Sequence, residues 1–153
     1  MRQFIGLLFV LATPLIVTAD NEDVRKEFKS LEGKWKAVSM EVEGKPVPNE
    51  QIPPFTITIA ADGKGTGKLP DEEFRFKLTI DPKKDPKHME AFHESGDQKG
   101  KKQFGVYKVE GDKFTVNMTP PDGKEADRPK DFSTKESMNV LFVFERVKEE
   151  KKP

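Results

Sequence analysis

The chain of 153 residues balances 27 Lys and Arg against 27 Asp and Glu, and it contains no cysteine. A net charge near zero gives no reason to expect nucleic acid or an anionic membrane surface as a partner. The missing thiols exclude disulfides, cysteine nucleophiles, iron–sulfur clusters and thiolate zinc sites.

Residues 1–19, MRQFIGLLFVLATPLIVTA, read as a secretory signal peptide cleaved after Ala19. Arg2 gives a positive start, Phe4 to Val17 an apolar run, and Val17-Thr18-Ala19 the small residues that a signal peptidase reads. As a membrane anchor the run is short, is broken by Pro14 and meets charged sequence at once. The expected mature protein is therefore periplasmic or secreted, without membrane insertion. An exported domain lacking disulfides fits a bacterial route better than a eukaryotic one. Its high charge content makes for a lean core, and only the ordering of the apolar residues argues against disorder.

Residues 20–30, DNEDVRKEFKS, predict a short helix, with acids at its start and bases toward its end. Val24, Phe28 and Leu31 form one apolar stripe along it. From there the period becomes two. Phe55, Ile57 and Ile59 alternate with threonines; Phe74, Phe76, Leu78 and Ile80 alternate with polar residues; so do Phe114, Val116 and Met118. Each is the pattern of a strand with one buried and one wet face. Weaker strands are expected at 34–43, 65–69, 87–93 and 103–110, and a last one over Met138 to Val147. That last strand is apolar on both faces at Leu141-Phe142-Val143-Phe144, so the helix stripe is expected to cover its outer face.

Turn signals at Glu43-Gly44-Lys45, Asp62-Gly63, Asp81-Pro82, Glu110-Gly111-Asp112 and Asp122-Gly123 separate the runs. Short strands at this spacing argue for an all-β antiparallel meander, closed as a barrel or folded as a sandwich. Residues 120–137, rich in proline and charge, are the one long irregular connection. The domain is placed at 31–148, with a charged tail at 149–153.

In strand 34–43 the alternation slips. Trp35 and Ala37 share one parity, while Val38, Met40 and Val42 share the other, which predicts a bulge near Ala37–Val38. Gly33 allows close backbone approach before Trp35, which is placed to close one end of a barrel beneath an arginine. Gly33-x-Trp35 at the start of a first strand resembles the lipocalin and calycin signature. Further pieces are Gly44-Lys45-Pro46-Val47-Pro48, Gly105-x-Tyr107-x-x-x-Gly111-Asp112, Arg128-Pro129-x-x-Phe132 and a final strand ending in Glu145-Arg146. With these, residues 30–148 look like a lipocalin-like family of exported bacterial proteins abundant in planctomycetes. The resemblance implies an up-and-down antiparallel barrel of about eight strands with one short N-terminal helix. It also implies that Arg146 covers Trp35.

The motifs of a kind that carries chemistry are weak. Gly63-Lys64-Gly65-Thr66-Gly67-Lys68 lacks the spacing of a phosphate loop and reads as a flexible hairpin. His88 and His93 fall on opposite faces of one strand, so a single metal could not easily collect both, and both are expected to be exposed. No acid pair is singled out by apolar surroundings, and Ser133, Thr134 and Ser137 have no histidine near them in sequence. The glycosylation sequon Asn117-Met118-Thr119 reads as an exposed strand edge.

No catalytic residue, metal or cofactor is predicted. The candidate ligand-binding set is the barrel interior: Ile57, Ile59, Phe74, Phe76, Leu78, Val116, Phe142 and Phe144, with Tyr107 as one polar contact. A barrel of eight strands can be filled by its own side chains or enclose one small ligand. Two readings follow: a non-enzymatic exported module holding a small hydrophobic molecule, or a cell-envelope interaction protein with a filled barrel.

Overall fold

The computed structural model of the protein describes residues 19–148; residues 1–18 of the expected leader and the tail at 149–153 lie outside them. Helix α1 (Ala19–Leu31) leads through Glu32 into β1 (Gly33–Val42). Then come β2 (Lys45–Pro46), β3 (Thr56–Ile59), β4 (Lys64–Leu69), β5 (Glu72–Asp81), β6 (Lys87–His93), β7 (Lys102–Glu110), β8 (Lys113–Met118) and β9 (Val140–Arg146). From β3 onward each strand pairs antiparallel with the next, β3 also pairs with β1, and β9 returns to β1. The sheet is thus a closed eight-stranded up-and-down barrel of lipocalin-like architecture, with β2 attached only to β1 as a short hairpin. Closure leaves the barrel strands without free edges. Glu43 and Gly44 both have positive φ, 52° and 75°, the backbone that a two-residue hairpin loop requires.

The parity slip in β1 is a bulge. Its register against β9 shifts between Ala37 and Ser39, so Ala37 faces Phe144 while Met40 faces Phe142. Residues of both parities therefore reach the interior from one curved strand.

Helix α1 docks, but not on the outer face of β9 as its stripe suggested. Val24, Phe28 and Leu31 belong to the barrel's own core, and the helix closes one end of it. The Phe28 ring reaches Gly63 in the β3–β4 turn, and Glu27 pairs with Lys87 of β6 at 2.8 Å. Trp35 Nε1 donates to the Leu31 carbonyl at 2.8 Å.

The outer face near β9 is covered instead by the long connection before it. Asn117 Nδ2 on β8 donates to the carbonyls of Asp131 and Ser133, and the Thr134 hydroxyl donates to Glu41 on β1. Arg128 Nη1 donates to the carbonyls of Met89 and Gly105, each at 2.8 Å, tying the connection to β6 and β7. The physical reason is polarity. The outward Asn117 of β8 needs hydrogen-bond partners once covered. An irregular segment with free carbonyls supplies them, and an apolar helix stripe cannot. Asn117 is accordingly fully buried in a strand paired on both sides, which corrects the expectation of an exposed edge.

Candidate ligand pocket

The interior opens into a pocket of about 310 Å³ at the end away from α1. Its existence depends on β4. In that strand Gly65 lies opposite Phe76 and Gly67 opposite Phe74, and a Cβ at either glycine would run into the facing phenyl ring. The stretch 63–68 forms the end of the turn and the second strand of the β3–β4 hairpin. Gly63 alone makes the turn, with φ 85°, and β4 pairs on both sides. The two glycines let the rings of Phe74 and Phe76 fold back over the wall, and so the interior is not filled by its phenylalanines.

All eight aliphatic and phenyl side chains expected to face inward, Ile57, Ile59, Phe74, Phe76, Leu78, Val116, Phe142 and Phe144, line this pocket. Met40, Met89, Met118 and Met138 line it too, and Met138 is 77% exposed at the mouth beside Pro120 and Pro121. The floor is an aromatic stack: Phe114 lies 5.6 Å from Phe144 and 5.7 Å from Trp35. Beneath it Trp35 is completely buried, with the Arg146 guanidinium 4.3 Å from its ring.

Tyr107 departs from expectation. It is not part of the pocket wall but sits toward the closed end, edge-on to Phe114 at 6.2 Å. Its hydroxyl has no hydrogen-bond partner within bonding geometry, although the Glu27 carboxylate of α1 lies beside it. Burial, reinforced by that carboxylate, pushes the phenol well above its ordinary value near 10.

The histidines do lie on opposite faces of β6, but only one is near solvent. His88 faces outward near Arg128, and desolvation, followed by the charges of Arg128 and Lys84, lowers its pKa. His93, expected to be exposed, is buried in the pocket wall. The parity of Met89 and Ala91 carried this information, because both are buried and His93 continues their face. The His93 ring packs 5.6 Å from Phe74, and its Nε2 lies 2.7 Å from Gln103 Oε1. Gln103 Nε2 in turn donates to the Thr119 carbonyl at 2.9 Å. His93, Gln103 and Thr119 thus form one polar strip in a wall otherwise of apolar residues. Among the described residues that line the pocket, His93 is the only ionisable one. Among the described residues no three His, Asp or Glu side chains gather as a metal site would need.

No family model and no curated protein sequence matches this chain. What defines its class is the fold: an all-β lipocalin-like barrel with an apolar pocket.

Proposed function

We propose that this protein is an exported binding module that holds a small hydrophobic molecule in its barrel and performs no catalysis on it. The observation that carries the reading is the pocket itself. Its volume of about 310 Å³ falls at the lower end of the range of small-molecule sites, and its walls are almost wholly apolar. Four of the chain's five methionines stand in those walls. Methionine is flexible and polarizable, so the walls can adapt to the shape of what they hold. The leader-like residues 1–19 support the assignment to the periplasm or the exterior.

Binding of a neutral naphthylamine dye, followed by its fluorescence, tests the reading. The expected result is saturable uptake by the wild type and its loss in Ala91→Trp, which fills the pocket from its wall, with the far-ultraviolet spectrum unchanged. Native mass spectrometry of protein purified from its source should show a copurifying apolar mass. No dye uptake together with no copurifying mass overturns the proposal and leaves the envelope interaction protein in its place.

A further inference from the structure

The polar strip in the pocket wall restricts what the ligand's polar end can be. The Thr119 carbonyl can only accept, so the Gln103 amide must turn its NH2 toward it. That leaves Gln103 Oε1, also only an acceptor, 2.7 Å from His93 Nε2, which must therefore carry the proton. In the uncharged ring the remaining nitrogen, Nδ1, then presents a lone pair. Nδ1 has no hydrogen-bond partner among the described residues, although His93 is only 7% exposed. Nδ1 is not fully enclosed, so a donor entering the pocket can reach it, and in a wall otherwise apolar that hydrogen bond favours a ligand able to donate one.

We infer that the pocket selects amphipathic ligands carrying one hydroxyl donor, an alcohol or phenol group, with the hydroxyl bonded to His93 Nδ1 and the apolar body against the phenylalanines and methionines. This rests on the reading of the barrel as a ligand carrier and adds the chemical class. At ~30 Å³ per heavy atom the volume accommodates a body of roughly ten heavy atoms. A carboxylate head is disfavoured because no Lys or Arg stands in the pocket wall to pair with it. A pure hydrocarbon leaves Nδ1 unpaired. An ether or ketone of the same size sets one acceptor against another.

Displacement of the naphthylamine dye at pH 8 by nonan-1-ol, methyl octyl ether and nonanoate tests this. The alcohol and the ether have the same number of heavy atoms and differ in the donor. Nonan-1-ol should displace the dye at about a tenfold lower concentration than the ether. In His93→Phe, with the far-ultraviolet spectrum unchanged to show an intact barrel, the alcohol and the ether should bind equally, by dye displacement or by calorimetry. Equal displacement in the wild type, a preference that survives His93→Phe, or nonanoate displacing better than the alcohol would each overturn the inference while leaving the carrier reading standing. If neither the dye nor any of the three compounds binds, both fall.

Discussion

The Arg146 guanidinium stacks over the Trp35 ring at 4.3 Å and, from that position, fastens three parts of the chain. Its Nη1 donates to the Glu32 carbonyl at 2.6 Å and its Nη2 to the Ser30 carbonyl at 2.8 Å, taking up acceptors at the C-terminal end of α1. Its Nε pairs with Asp112 in the β7–β8 turn at 3.3 Å. The side chain reaches there by passing over Gly33, where a Cβ would come within 2.8 Å of Nη1 and where φ is +125°. Gly33, Trp35 and Arg146 are therefore one device, and it closes the barrel's end.

Arg146→Met keeps an unbranched side chain near the tryptophan but removes the cation and its donors. Two charge-assisted hydrogen bonds, taken at the low end because they are solvent-exposed, and a partly exposed cation–π contact add up to about 3–4 kcal/mol. Urea unfolding should show a loss of that size. The emission of Trp35, the only tryptophan in the chain, should also move toward that of a wetter indole. A midpoint no lower than that of a Lys148→Met control would show that the stack is incidental.

Phe28→Asp tests the docking of α1 across the barrel's end. Phe28 is buried against Gly63 and the rest of the core, so the variant removes a ring and places an unpaired charge in apolar contact. The expected loss is ~3–5 kcal/mol. A melting temperature equal to that of the wild type would mean that the helix contributes nothing to closing the barrel.

Gly65→Ala should cost about 1–3 kcal/mol, because the new methyl meets the Phe76 ring on one side and the Thr58 carbonyl, 2.7 Å away, on the other. Combining it with Phe76→Leu should recover part of the loss, since the smaller side chain vacates the space over β4. Strict additivity of the two substitutions in a denaturation cycle would refute the ring-over-glycine arrangement. The same cycle, followed by dye binding, should show that moving the Phe76 ring changes the pocket.

Tyr107 sets an alkaline limit on stability. Its folded pKa is raised above the unfolded value near 10, chiefly by burial and then by Glu27. Its contribution is therefore fully present below pH ~10. Above that pH the unfolded chain releases a proton that the folded chain retains, so stability falls by up to ~1.4 kcal/mol per pH unit. Because it is the only tyrosine, absorbance near 295 nm reports it alone. Tyrosinate should appear only as the protein unfolds, and Tyr107→Phe should flatten the decline above pH 10. Reversible ionisation near pH 10 with the fold intact would contradict the buried placement.

The histidines show how far local pattern reaches. Alternation in β6 is enough to put His88 and His93 on opposite faces, because side chains alternate along any strand. Which face meets the interior follows from Met89 and Ala91, and that reading was available from the sequence. The partners of His93 were not: Gln103 comes from β7 and the Thr119 carbonyl from just beyond β8. Their meeting depends on barrel register, which no local period records.

Periodicity within short stretches of chain suffices for the barrel strands, the helix, the bulge in β1 and the eight inward aliphatic and phenyl residues, but not for the place of Tyr107. The Gly33-x-Trp35 spacing likewise marked the closed end. Only the tertiary structure decided where the helix docks, what covers the outer face of β8 and β9, and whether the barrel is full. Those outcomes depend on competition between distant segments for the same surface. The polar outward face of β8 takes the segment that can hydrogen-bond to it, and the apolar end of the barrel takes the helix stripe. Gly65 and Gly67 have no side chains of their own, yet by admitting the rings of Phe74 and Phe76 they leave the barrel a cavity, a choice that the pattern of residues alone left open.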